Sequence, residues 1–165
     1  MVTPALETYC FSVQSTLVKG DHSPRVEALC RLLVTSSRGF NLAGIKTGDI
    51  FTPAVEATVK QFQVQTFLKS DGIVGPFTWQ ALCENAPTHM PTLRLGEHAI
   101  ATHIAQHSLQ SLGFYGGSID GYFGPETHFS VIDFQTTFGI VGDGILDITT
   151  WDKLGRAASL AVVKS

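Results

Sequence analysis

Apolar residues recur at helical spacing in six short stretches of this chain, four of them opened by proline. Val26, Leu29, Cys30 and Leu33 stand at i, i+3, i+4 and i+7 behind Ser23-Pro24. That pattern predicts a helix over 24–35 with Ser23 as its cap. Thr52 caps and Pro53 opens the next, in which Val55, Val59 and Phe62 face inward through about residue 67. Pro76 starts a short helix that holds Trp79 and Leu82. A helix over about 98–112 ends at Gly113, which suits a C-terminal cap. Another runs from Pro125 to about residue 138 with Thr127, Val131, Phe134 and Phe138 on its inner face. A last helix carries Trp151 and Leu154, and 157–163 extends or follows it. Leu6, Cys10 and Val13 give residues 1–16 the pattern of a short lead-in helix.

The stretches between the helices repeat. Leu93-Arg94-Leu95-Gly96 matches Leu17-Val18-Lys19-Gly20 at an offset of 76. Asp143-Gly144-Ile145-Leu146 matches Asp71-Gly72-Ile73-Val74, and Thr150-Trp151 matches Thr78-Trp79, both at 72. The first copy therefore carries four extra residues in its loop region, 76 less 72. The expected organisation is a lead-in (1–16), a first repeat (17–86), a linker with Pro87 and Pro91 (87–92) and a second repeat (93–165). The fold class is all-α, as two tandem three-helix bundles. Each copy sits near the size at which a single core is only marginally stabilising. The turn Asp71-Gly72-Ile73-Val74-Gly75 is expected to bury both its aliphatics, and Ile119 and Phe123 both read as core-seeking.

Composition narrows the function classes. The chain is 44% hydrophobic and 15% charged, ordinary for a globular protein. Net charge is −3, with seven basic and seven acidic groups in 1–91 and four against seven in 92–165. Without a basic face, a nucleic-acid partner is not expected. No apolar run reaches the length of a membrane span, so membrane insertion is not expected either. Residues 1–14 lack a basic stretch followed by an apolar core, so no export signal is read there. Three cysteines cannot all pair within the chain. Cys30 lies on an apolar helix face and reads as a buried free thiol, with a Cys30–Cys83 bridge as the other option.

The second copy reads Leu95-Gly96, Gln106, Leu109, Leu112-Gly113-Phe114, Ile119-Asp120-Gly121-Tyr122-Phe123-Gly124, Thr127, Val131, Phe134-Gln135, Gly139-Ile140, Asp143-Gly144-Ile145, Thr150-Trp151 and Leu154. This resembles the three-helix peptidoglycan-binding domain found beside catalytic domains in cell-wall hydrolases. The first copy is similar at Gly20, Val26, Leu29, Leu33, Phe51, Phe62-Gln63, 71–75 and Thr78-Trp79. It departs twice: Cys30 replaces the usual Gln, and Gly48-Asp49-Ile50-Phe51-Thr52 replaces the Asp-Gly-x-Phe-Gly turn.

The resemblance implies a non-catalytic module that binds the glycan strand or stem peptide of peptidoglycan. It would target or anchor a partner, a cell-wall hydrolase or another protein, at the cell envelope, in the periplasm or outside the cell. With no export signal read, a cytoplasmic location stays open. A second reading is a protein–protein interaction scaffold that kept the fold and lost the wall ligand, which the degenerate first turn favours. A third, an inhibitory pro-domain, is weak because neither Leu29-Cys30-Arg31 nor Leu82-Cys83-Glu84 has the Pro-Arg-Cys-Gly context.

Candidate ligand contacts follow from residue type and place. Tyr122 and Tyr115 lie in glycine-bearing turns, where an aromatic can stack on a sugar or pack on a peptide. Asp120, like Asp71 and Asp143, precedes a glycine, and such a carboxylate more often bonds nearby backbone amides. Gln63 and Gln135 follow core phenylalanines; each either reaches a ligand backbone or braces a neighbouring loop. His103 and His107 stand at i, i+4 without a third ligand, so neither a metal nor another cofactor is expected. No nucleophile–base pair, phosphate loop or metal triad is evident, so no catalytic residue is assigned and the chain does not read as an enzyme.

Overall fold

A computed structural model describes residues 16–36, 38–40, 42, 44–45 and 48–162. The expected lead-in helix falls outside them. Two compact units, Met1–Thr88 and His89–Ser165, make up the chain. In the first, α1 (Pro24–Thr35), α2 (Pro53–Gln65) and α3 (Pro76–Glu84) surround one core. In the second, α4 (Ile100–Ser111), α5 (Pro125–Thr137) and α6 (Ile148–Val162) do the same. The described residues form helices and isolated bridges and no extended sheet.

Proline supplies the first helical position of α1, α2, α3 and α5, where its missing N–H costs nothing. Thr52 caps α2, its hydroxyl accepting from the Val55 N–H at 3.3 Å. Ser23 stands at the N-cap of α1 but makes no cap bond; its own N–H donates to Asp49 O at 2.9 Å instead. The second unit's first helix starts two residues later than its pattern suggests. His98 forms an antiparallel bridge with Tyr122 and Ala99 is extended, so backbone pairing overrides helix propensity there. Gly113 ends α4 with φ +82°, and Phe114 N–H returns to Leu109 O at 2.9 Å. Helix α2 stops at Gln65 because Thr66 and Phe67 turn out of it, Phe67 with φ +57°.

Two pairs of bridges repeat at the sequence offsets. Leu17 pairs with Val74 as Leu93 pairs with Leu146, and His22 pairs with Ile50 as His98 pairs with Tyr122. Each unit thus ties the strand-like segment before its first helix to both of its later turns. The cores correspond as well. Leu33, Phe51, Val59, Phe62, Val74, Trp79 and Leu82 are buried in the first unit. Leu109, Phe123, Val131, Phe134, Leu146, Trp151 and Leu154 take those places in the second. Burying one such side chain contributes about 1.5–3 kcal/mol. Trp151 also donates its indole N–H to Pro91 O at 2.8 Å.

Three expectations about burial need correction. Ile73 and Ile119 are 41% and 38% exposed, because only one residue in each turn (Val74, Phe123) points into the core. Phe138 is 37% exposed at the C-terminal edge of α5, where its ring leans on Phe134 at 4.5 Å between centroids. Cys30 is a buried free thiol, and burial pushes its pKa up against the opposing bond from the Gly48 backbone. A Cys30–Cys83 bridge is excluded, since Cys83 is disulfide-bonded and Cys30 is not.

Candidate functional site

Three turns in the two units are built on one plan: Asp-Gly, then Thr seven residues after the Asp, each gripped by its own buried glutamine. In the first unit, Gln63 Nε2 donates to Asp71 Oδ1 (3.1 Å) and Ile73 O (3.0 Å). Its Oε1 accepts from Gly72 N–H at 2.9 Å. Gln135 treats Asp143 Oδ1, Ile145 O and Thr150 Oγ1 alike (2.9, 2.9 and 3.1 Å) and accepts from Gly144 N–H. Gln106 makes the fullest set. Its Nε2 shares two hydrogens among four acceptors within reach: Asp120 Oδ1 (2.9 Å), Tyr122 O (3.1 Å), Thr127 Oγ1 (3.1 Å) and Tyr115 Oη (3.2 Å). Its Oε1 accepts from the Asp120 and Gly121 N–H groups at 3.1 and 3.0 Å.

Each aspartate closes the loop by accepting the amide two residues on: Ile73, Tyr122 and Ile145, at 2.9 to 3.0 Å. The ionised form collects these bonds, so all three carboxyls titrate below the usual range. For Asp120 the Gln106 bond leads and the Tyr122 amide follows. For Asp71 and Asp143 the backbone amides of Ile73 and Ile145 lead.

Glycine is favoured at the second position of all three turns, Gly72 with φ +77° included. Gly121 and Gly144 have φ of +75° and +69°, and a Cβ on either would strike the ring of His103 or His128 at 2.0 Å. His103, of the i, i+4 pair at His103 and His107, covers the Gly121 turn. Among the described residues no cluster of three or more metal-ligating side chains occurs.

The five candidate contacts fall into two groups. Gln63 and Gln135, each 1% exposed, have their amides taken up inside the fold. Tyr115 is 6% exposed and donates its hydroxyl to Ser118 O at 2.7 Å while accepting from Gln106. These three build turns. Tyr122 and Asp120 stand at the surface of the turn that Gln106 holds. Tyr122 stacks on the exposed imidazole of His98, with centroids 4.5 Å apart and planes 26° from parallel. Both hydrogen bonds to Asp120 fall on Oδ1, which leaves Oδ2 without a partner among the described residues. The result is a two-ring aromatic platform with a charged acceptor at its edge, fixed from below by a buried amide. Such a surface can stack on a sugar or peptide plane and accept from its hydroxyl or amide.

The first unit lacks this platform. Ile50 stands at the place of Tyr122, and His22 at the place of His98 pairs with Asp49 at 2.9 Å. Cys30, at the place of Gln106, can neither bridge nor orient an Asp-Gly turn, and the sequence there reads Gly48-Asp49. In the sequence Gln106 stands out only as one position of the family resemblance, which does not reveal its role beneath the exposed turn. The signal was present in the three Asp-Gly-x5-Thr runs, each preceded by a helical Gln.

Residues 23–82 and 101–154 match the family described as "Putative peptidoglycan binding domain". Among curated proteins, the chain is 33% identical over 108 residues to N-acetylmuramoyl-L-alanine amidase CwlM of Mycobacterium tuberculosis, covering 59% of this chain and 25% of that protein. It is 28% identical over 167 residues to N-acetylmuramoyl-L-alanine amidase CwlL of Bacillus licheniformis, covering 87% and 46%. It is 48% identical over 54 residues to the spore cortex-lytic enzyme of Oceanobacillus iheyensis, covering 33% and 20%. The chain thus spans less than half the length of these three relatives. No solved structure matches it significantly.

Proposed function

We propose, because this chain belongs to the peptidoglycan-binding domain family, that it is a non-catalytic module that holds peptidoglycan and targets or anchors a partner at the cell wall. The observation that carries the reading is the Tyr122–His98 stack beside Asp120, presented on a turn braced by Gln106. A sugar ring or peptide plane of the wall polymer lies on the platform and donates to Asp120 Oδ2. The buried glutamines and Tyr115 hold the turns and do not touch the polymer. The matched family is a binding domain, and the amidases and the lytic enzyme above share only part of their length with this chain. The partner is therefore a cell-wall hydrolase or another wall-associated protein. A location in the envelope or outside the cell suits the wall ligand, and the disulfide at Cys83 suits an oxidising compartment. No helix among the described residues is long and apolar enough to cross a membrane.

The test is sedimentation with purified sacculi. The wild-type chain co-sediments, and Tyr122→Ala weakens retention by roughly three- to tenfold, the share of one aromatic contact. Failure of the wild-type chain to sediment refutes the reading. Unchanged retention of Tyr122→Ala removes the platform as its site.

A further inference from the structure

The two units differ at one position with a chemical consequence. In the second, Asp147 precedes α6, and its Oδ1 accepts from both the N–H and the hydroxyl of Thr150 at 2.8 Å. The corresponding residue of the first unit, 72 positions earlier, is Gly75. No side chain caps α3, and a Cβ on Gly75 would meet nothing within 4 Å. Thr78 is 5% exposed, yet its hydroxyl has only long contacts, 3.4 Å to Ile73 O and 3.4 Å from Gln63 Nε2. Beside it opens a cleft of ≈ 180 Å³, with Leu68, Ile73 and Phe77 on its apolar walls and Lys69 at its rim.

We infer that this cleft is a carboxylate subsite, taking the free carboxylate of a short peptide with a small aliphatic side chain. The carboxylate sits where the Asp147 side chain sits in the second unit and accepts from Thr78. Lys69, 87% exposed and 3.7 Å from Asp71 Oδ2, is shared between that carboxylate and the incoming one, and the apolar walls receive the aliphatic group. Asp71 at the cleft does not forbid an anion. Its Oδ1 is engaged by Gln63 and the Ile73 amide and its Oδ2 faces Lys69, and in the second unit its counterpart Asp143 coexists with Asp147. For the natural source of the peptide, a wall stem peptide, the inference rests on the wall-binding reading; the chemistry of the cleft does not.

The experiment is an NMR titration of the whole chain with acetyl-alanyl-alanine and, separately, with its C-terminal amide. The acid shifts the amide signals of Gly75, Phe77 and Thr78 saturably, and the neutral amide binds about tenfold more weakly or less, the loss of one charge-assisted bond. Gly75→Asp fills the cleft as Asp147 does in the second unit and abolishes the titration, while Gly75→Asn fills it without charge and does the same. Lys69→Gln weakens binding several-fold, roughly one exposed ion pair. Thermal melts of both Gly75 variants stay at or above wild type, because each residue is a good N-cap. Equal binding of acid and amide, undiminished binding by Gly75→Asn, or no saturable shift in the wild type overturns the inference. Sacculus retention separates the two readings. Sedimentation without peptide titration sinks the subsite alone, and titration without sedimentation sinks the wall reading alone.

Discussion

Replacing Gln106 by alanine removes the buried amide from beneath the Asp120–Thr127 turn: two Nε2 hydrogens shared among four acceptors, and an Oε1 that accepts two backbone N–H groups. The buried Gly121 N–H is left without its acceptor, at about 1–3 kcal/mol. The lost packing of a side chain at 0% exposure adds about 1–2 kcal/mol. The Asp120 N–H and the surface carbonyls regain water and add nothing further, so the net cost is about 2–5 kcal/mol. A domain of this size has roughly 4–11 kcal/mol of stability to lose. The melting point should fall by about 10–40 °C. Trp151 is the fluorophore of this unit, and a Trp79→Phe background leaves it as the sole tryptophan. Guanidinium unfolding followed at Trp151 gives the free energy. Gln106→Glu sharpens the test. It keeps the shape but turns the donor end into an acceptor facing Asp120 Oδ1, so it should be at least as damaging as alanine at neutral pH. Stability of Gln106→Ala within about 1 kcal/mol of wild type, or a Glu variant as stable as Gln, refutes the reasoning.

Two further outcomes follow from the same turns. The folded-state pKa values of Asp71, Asp120 and Asp143 lie below the ordinary carboxylate value, so their contribution is present above about pH 4 and is lost as pH falls through the folded values. Asp143→Asn should flatten the acid limb of a stability-versus-pH curve measured by denaturant midpoints, and an unchanged limb counts against the assignment. Gly121→Ala meets both a left-handed backbone and the His103 ring, and should cost about 1–3 kcal/mol. His103→Ala added to it should recover only the steric part, which a double-mutant cycle measures directly.

Local pattern settled the elements. Proline at the helix starts, apolar residues at i, i+3, i+4 and i+7, and glycine after Leu112 placed the helices within a residue or two, because these signals act through the residue's own backbone and nearest turn. The repeat offsets of 76 and 72 made two like bundles legible, and their residues bore the family resemblance. The buried aromatics Phe62, Trp79, Phe123, Phe134 and Trp151 were readable as core for the same reason. Tertiary structure decided what depends on partners distant in sequence. The Gln106 amide meets Asp120, Tyr122 and Thr127 across 14 to 21 residues, and no periodicity announces such a bond. Ile73 and Ile119 look like core residues in sequence, yet only the strand pairing of their turns decides which neighbour points inward. Asp120–Thr127 was recognisable from sequence as a turn, while its division of labour came from the fold: Gln106 and Tyr115 beneath, Tyr122 and Asp120 outside. Burial and hydrogen-bond geometry are properties of contacts made after the chain has closed on itself, and the order of residues carries them only indirectly.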